Sequence, residues 1–439
     1  MFSHKARLEK VASHPFARDV GILQISAVFS RAIAVLTAFI LARILGPEQY
    51  GFYALVIALA GTINVFQEFG VGQGAVNLLA RARARSDSDQ AKDILKFFFV
   101  MSAFGLLTTG LAGFLLAPYL GQRFYDDRYL GILASIAVAA TALTFFYPLA
   151  TTALQVARKI KNLALIETLY KFFTAMAPLL LVLAGFGVMG IMTGQFLAMI
   201  LASFMGFAAY WRLSKQEAFF PKFRDFLRTD ISWTKIKEYL RYCVEIAVSK
   251  DLIKLNATIP ILFVGAFLST NSALAYYKIA LAYVSLPLLL TDPITKLLNV
   301  QFPKTEVAGT DKLFRRFYQV SGSVFVLMIA LSVLMVLAAP IVIRMAFPEY
   351  TPAIPLVYAL AVLPVISSLG VGLGPLFRTL NKMKIAIVIQ LITITCLVPA
   401  SYYLIKHYSI RGLIITTLVF TLLPNLLSLI YFYGRRKNI

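Results

Sequence analysis

Charge is scarce in this sequence. Only 14% of its 439 residues are charged against 59% hydrophobic, and the mean hydropathy is +0.79. A soluble domain carries about 25% charged residues, so too little polar surface exists to cover a water-soluble globule, and the chain reads as a membrane protein. Acid is scarcer still, with 20 acidic against 42 basic side chains and a formal charge of +22. The two cysteines, Cys243 and Cys396, both sit in apolar runs, which excludes a disulfide framework or a thiolate metal cluster. His4, His14 and His407 are scattered over chain ends and loops and assemble no histidine-based catalytic or metal centre. A Gly-rich phosphate loop of the Walker type is also missing, which argues against direct ATP hydrolysis, and no cofactor is expected.

What is present is a series of long apolar runs. A membrane-spanning helix needs about 20 mostly apolar residues, and twelve such runs can be read: 20–43, 51–76, 96–118, 129–153, 163–184, 188–210, 240–266, 274–299, 318–343, 353–377, 385–405 and 411–433. The residues before the first run are polar and no small-residue cleavage site follows a short apolar core, so the first run is expected to be retained as a span. Short basic loops stay in the cytoplasm. Thirty basic residues fall in the N-terminus, alternate loops and the C-terminus, and six in the opposite loops. Both termini are therefore expected in the cytoplasm, with the protein in the cytoplasmic (inner) membrane. That distribution also removes nucleic acid as an explanation of the +22.

Four local matches recur at nearly one offset. Ala117-Pro118 returns as Ala339-Pro340, Lys159-Ile160-Lys161 as Lys382-Met383-Lys384, Gly190 as Gly412 and Tyr53 as Tyr277, at separations of 222 to 224. Each pair occupies the same place in its half. The pattern predicts an all-α, polytopic membrane protein of twelve spans in two parallel six-helix lobes, 1–210 and 240–439, as in transporters built from parallel repeats. The connector, 211–239, carries Phe219, Phe223, Phe226 and Leu227 at helical spacing among Lys222, Arg224 and Arg228, a pattern that suits a helix lying in the membrane interface.

Six bases fall inside the runs, namely Arg31, Lys171, Lys250, Lys254, Lys278 and Lys296, together with five acids, Glu68, Glu167, Glu245, Asp251 and Asp292. Ionisable groups at membrane depth mark functional surfaces. Glu167 with Lys171, and Asp292 with Lys296, are spaced for local i,i+4 pairs, and Lys278 is near enough to a span end to snorkel. Arg31 differs, lying roughly 16 Å into the first span on a face of small residues, Ala27, Ala34 and Ala38, with no acid three or four positions away. Lys250 and Lys254 share a face of the seventh span, where Asp251 neutralises at most one of them. Deep bases outnumber deep acids, which predicts an anionic substrate.

The segment Arg43-Ile44-Leu45-Gly46-Pro47-Glu48-Gln49-Tyr50-Gly51-Phe52-Tyr53, followed by Glu68-Phe69-Gly70 and Arg81, resembles the opening hairpin of the polysaccharide-export branch of the multidrug/oligosaccharidyl-lipid/polysaccharide (MOP) exporter superfamily, the Wzx-type flippases. The resemblance continues in Gly265-Ala266-Phe267-Leu268 through Tyr277 to Ala280, in Phe347-Pro348-Glu349-Tyr350-Thr351-Pro352-Ala353 and in Leu380-Asn381-Lys382. It implies a V-shaped, MATE-like pair of lobes around a cationic cavity. It further implies a flippase, not an enzyme, that moves polyprenyl-pyrophosphate-linked oligosaccharide to the outer leaflet for O-antigen, capsule or exopolysaccharide assembly. Membrane lipids, a polysaccharide polymerase and a chain-length regulator are the implied partners. Under that reading Arg31, Lys250, Lys254 and Lys278 receive the pyrophosphate, and Asp251 or Glu68 carries a coupling H+ or Na+. Glu68 stands where relatives commonly have Asp.

A MATE-type exporter of cationic drugs would favour intramembrane acids over bases. A lipid II flippase usually has two further helices, for which no apolar run remains. A membrane polymerase or ligase would need a large extracytoplasmic loop, and the loops on that side are short. Topology reporters fused after Lys237 are expected to read cytoplasmic and after Gly187 extracytoplasmic; a cytoplasmic signal at Gly187 would overturn the assignment.

Overall fold

The computed structural model describes residues 15–66, 71–144, 146–268, 270–307, 309–380 and 382–435, and among them every regular element is helical. In chain order the helices are α1 (Pro15–Ile63), α2 (Val71–Ala84), α3 (Ser88–Gly105), α4 (Ala112–Tyr125), α5 (Arg128–Ala142), α6 (Phe146–Val156), α7 (Ile160–Leu183), α8 (Gly187–Gln216), α9 (Phe223–Arg228), α10 (Trp233–Phe267), α11 (Ser272–Val284), α12 (Thr291–Val307), α13 (Thr310–Ala346), α14 (Ile354–Leu360), α15 (Val362–Ser368), α16 (Leu373–Thr379) and α17 (Met383–Arg435).

Among the described residues, eight stretches are long and apolar enough to cross a membrane. The stretches Ser26–Ile63 and Met383–Gly434 each hold two of the expected spans, because the helix is broken at Gly46 (φ 71°, ψ 171°) and at Ser409 (φ 50°, ψ −128°). Ten of the twelve expected runs are thereby placed. The other two coincide with α10 and with α11 and α12, whose Lys250, Asp251, Lys254, Asp292 and Lys296 dilute the hydropathy of otherwise apolar helices. Helix starts follow ordinary capping chemistry. The Asp87 carboxylate accepts from the Gln90 amide at 2.8 Å, and that of Asp127 from the Leu130 amide at 3.0 Å.

The repeat is visible in the turns. A Cβ on Gly190 would lie 3.1 Å from the Leu181 carbonyl, and one on Gly412 only 2.2 Å from the Leu404 carbonyl oxygen. In both places the glycine after the turn lets the returning helix touch the backbone of the outgoing one, a contact any side chain would prevent.

Two compact units form, Met1–Leu41 with Ile63–Lys250, and Ala42–Thr62 with Asp251–Ile439. Residues 42–62, early in the sequence, thus pack with the later helices, and the connector belongs to the first unit. The core of the first unit gathers Ile94, Phe97, Phe98, Leu149, Leu154, Phe220 and Phe226. In the second, Phe302, Phe314, Phe317, Leu376 and Phe432 play that part.

The connector corrects one expectation. Its aromatic face packs onto the protein itself: Phe226 is fully buried, Phe219, Phe223 and Leu227 are partly buried, and Phe223 and Phe226 meet Phe99 edge-on at centroid distances of 5.5 and 6.3 Å. The helical part is only six residues, α9, too short to hold an amphipathic face in a bilayer by itself. Polar staples fix its ends. Lys96 donates to the Leu227 carbonyl and Lys235 to the Asp93 carboxylate at 2.6 Å. Arg83 bridges the Val156 carbonyl at 3.1 Å and Glu217 at 3.0 Å, while Lys159 approaches Glu217 at 3.6 Å. The hydrogen bond to Asp93, with its negative charge, raises the Lys235 ammonium above its usual 10.5. Its stabilisation is therefore complete below pH 10.5 and lost as pH rises through the raised value. The chain's two tryptophans flank this segment: Trp211 carries the Lys215 ammonium 3.6 Å from its ring, and Trp233 is 75% exposed.

The staples are exposed enough for water and salt to screen them, so the buried ring dominates. Phe226→Ala is expected to cost about 3–5 kcal/mol and to lower the melting temperature of the detergent-solubilised protein, whereas Lys235→Ala should change it little. Equal effects would contradict that ranking.

Candidate functional site

Of the residues singled out by charge, Arg31 lies in the first unit and Lys254 and Lys278 in the second, and all three are half-buried. The side chains of Lys250 and Asp251, and Glu68 altogether, fall outside the described residues.

In the first unit α1 is pinned to α7 near Arg31. The Ser26 hydroxyl shares a hydrogen bond with that of Thr168 at 2.8 Å and donates to the Ala164 carbonyl at 3.3 Å. Arg31 follows five residues later, a rise of about 7.5 Å, so the contact that fixes Ser26 also fixes where the guanidinium begins. In the same unit α6 and α7 bring two aromatic rings together. The rings of Tyr147 and Tyr170 stack at 4.3 Å with 27° between planes, the Tyr170 hydroxyl reaches the Met199 sulfur at 3.5 Å, and the exposed Lys171 ammonium lies 5.1 Å from the Tyr170 ring. The Glu167 carboxylate is close enough to act electrostatically on the Tyr147 hydroxyl. Sequence reasoning found Arg31, Glu167 and Lys171 but missed both tyrosines. They lie 23 residues apart on different helices, and no periodicity links them.

The second unit adds a polar strip on α10. Thr258 donates back to the Lys254 carbonyl at 3.1 Å. Asn256 donates to the Gln390 side chain of α17 at 3.4 Å, and its own carbonyl oxygen is buried with no partner among the described residues. Lys278, on α11, likewise has no hydrogen-bond or ion-pair partner among the described residues. Buried donors and acceptors left in this state are costly unless something else supplies a partner.

Three of the stretches that carried the family resemblance meet in one knot in the second unit. The kink at Gly46 turns Glu48 onto the start of α11, where its two carboxylate oxygens accept from the Asn271 amide at 3.0 Å and the Ser272 amide at 3.1 Å. Asn271 makes no side-chain cap of its own, so the helix receives its cap, and a negative charge at the positive end of its dipole, from a residue 223 positions away. Gly51 makes the approach possible, since a Cβ there would stand 1.8 Å from the Asn271 carbonyl oxygen. Tyr350, fully buried, donates to the Ala42 carbonyl at 2.7 Å and meets the Tyr276 ring edge-on at 6.0 Å. Gly265 packs against Leu55, where a Cβ would fall 2.4 Å from a methyl carbon.

This all-helical, multi-pass arrangement is similar in fold to solved membrane transporters of the MOP superfamily. It is similar to an inward-facing multidrug-resistance MATE transporter of that superfamily, with a TM-score of 0.76 and 17% identity over 92% of this chain and 94% of that one. It is also similar to a MOP transporter of Pyrococcus furiosus described by the reverse polarity of its binding pocket, with a TM-score of 0.65 and 19% identity over 95% of each chain. The chain belongs to the polysaccharide biosynthesis protein family, which matches residues 40–355. An uncharacterised membrane protein of Methanocaldococcus jannaschii is 25% identical over 248 residues, 54% of this chain; the match spans 56% of that relative's length.

The knot predicts a stability effect out of proportion to its exposure. Glu48→Ala removes both acceptors from the first turn of α11 and is expected to cost about 1–2 kcal/mol, with Glu48→Gln intermediate. A melting temperature unchanged in both variants would show that water replaces the cap without loss.

Proposed function

We propose that this protein is a flippase for a polyprenyl-pyrophosphate-linked oligosaccharide, moving it from the inner to the outer leaflet of a bacterial or archaeal cytoplasmic membrane for surface-polysaccharide assembly. Both termini lie in the cytoplasm in this reading, and the protein moves its substrate by alternating access without changing it chemically. The observation that carries the proposal is the base excess within the spans. Arg31, Lys254 and Lys278 are half-buried within the spans, and ionisable groups at membrane depth mark substrate pathways. A pyrophosphate cannot cross hydrocarbon unaided, and a guanidinium offers it forked donors. The stacked Tyr147 and Tyr170 rings provide a flat surface of the kind on which a sugar ring packs its C–H face. Family membership supports a role in polysaccharide biosynthesis, and the transporter fold supports movement over synthesis.

A drug exporter of the same fold would carry mostly cationic cargo, and these cations repel it. In a flippase-deficient strain, Arg31→Ala is expected to abolish surface polysaccharide at normal protein level. Loss of one charge-assisted contact, about 1.5–3 kcal/mol, corresponds to a fall of roughly 10- to 150-fold in affinity for the lipid pyrophosphate. Lys254→Ala should weaken export less, because Lys250 lies one turn away on the same helix. Undiminished export by Arg31→Ala would remove Arg31 from the mechanism.

A further inference from the structure

Away from the residues assigned above, the second unit carries a groove of about 380 Å³ lined by Ile294 of α12 and by Gln319, Val320, Ser323, Val324 and Leu327 of α13. The α13 residues form one helical stripe, and Arg316 continues it by a further turn towards the basic loop between the two helices. Gln301 extends the opposite wall in the same way, seven residues beyond Ile294 on α12. The two extensions are joined where the Arg316 guanidinium donates to the Gln301 side-chain oxygen at 2.7 Å, which sets a cation about one helical turn from the nearest lining residues. That bond uses one of five guanidinium N–H donors. Lys312 and Arg315 are exposed beside it. Ser323 turns its hydroxyl onto the Gln319 carbonyl at 2.9 Å, which leaves the floor of Val320, Val324 and Leu327 apolar.

We propose that this groove holds one phospholipid with an anionic headgroup, its phosphate at Arg316 and one acyl chain along Val320, Val324 and Leu327. Charge complementarity selects the headgroup, since three bases, one of them the buttressed Arg316 guanidinium, gather on α13 just beyond one end of a mostly apolar groove. Length selects the lipid. From Arg316 to Leu327 the helix rises about 16 Å, half of the roughly 30 Å hydrocarbon thickness, which suits a single leaflet's acyl chain and is far too short for a polyprenyl chain. The Gln301 bond holds the Arg316 guanidinium in place in advance, so little side-chain freedom is lost when the lipid arrives.

The test uses the purified full-length protein, stripped of lipid in detergent and offered equal amounts of palmitoyl-oleoyl phosphatidylglycerol and phosphatidylcholine, with bound lipid read by native mass spectrometry. Phosphatidylglycerol should be retained several-fold over phosphatidylcholine. Arg316→Ala should reduce it at least fivefold, to the phosphatidylcholine level, Arg316→Lys should keep at least half of it, and Leu327→Trp, which fills the groove, should lower both lipids. Unchanged phosphatidylglycerol binding in Arg316→Ala and Leu327→Trp would overturn the proposal. So would undecaprenyl pyrophosphate displacing phosphatidylglycerol at equal concentration with the same dependence on Arg316, since the occupant would then be a polyprenyl lipid. Should Arg316→Ala fail to fold, phosphatidylglycerol with a diazirine in its acyl chain should label the wild-type protein within 319–327, and labelling confined elsewhere would overturn the proposal. Transport is not measured in these assays, so failure of the flippase reading would leave their outcome unaffected.

Discussion

A carboxylate seated on the open end of a helix organises the second unit. The first amides of α11 have no partner within the helix, and a charged acceptor is the strongest satisfaction they can find near a membrane surface. Glu48 provides it, and the geometry of its surroundings follows. The chain must turn sharply to bring Glu48 there, which places Gly46 in the left-handed region. The backbone must then pass against Asn271, which only Gly51 allows, and the preceding carbonyl, Ala42, is left within reach of the Tyr350 hydroxyl. Residues 42–62 pack with helices more than 200 positions later, and this cluster of polar contacts ties them there.

Much of the fold was legible in the sequence because apolar length is a direct physical requirement of a span. Twelve runs anticipated the helices, and the paired glycines Gly190 and Gly412 proved to perform the same steric task in their turns. The packing of the connector is less legible, for a physical reason. Phe219, Phe223, Phe226 and Leu227 announce an apolar face, and periodicity says that such a face must be covered without saying by what. Here Phe99, Phe207 and Tyr210 cover it, and sequence spacing carries no trace of partners on other helices.

The functional surface was legible in part. Charge at membrane depth is conspicuous, so Arg31 and Lys254 stood out. Tyr147, Tyr170, Asn256 and Gln390 did not, because tyrosine and amide side chains are unremarkable one at a time and acquire meaning only through stacking or a shared hydrogen bond. The motif residues behaved in the opposite way. Gly46, Glu48 and Tyr350 were recognised by resemblance, yet their contacts are those of architecture: a kink, a helix cap and a buried phenol.

The docked connector has a spectroscopic consequence. Trp211 and Trp233 are the chain's whole complement of tryptophan, and they stand at the two ends of the segment that Phe226 anchors. Indole emission from the unmodified protein therefore comes from one rim of one unit. The molecule carries its own pair of local probes, and any change in how the connector is seated is reported without a label or an engineered residue.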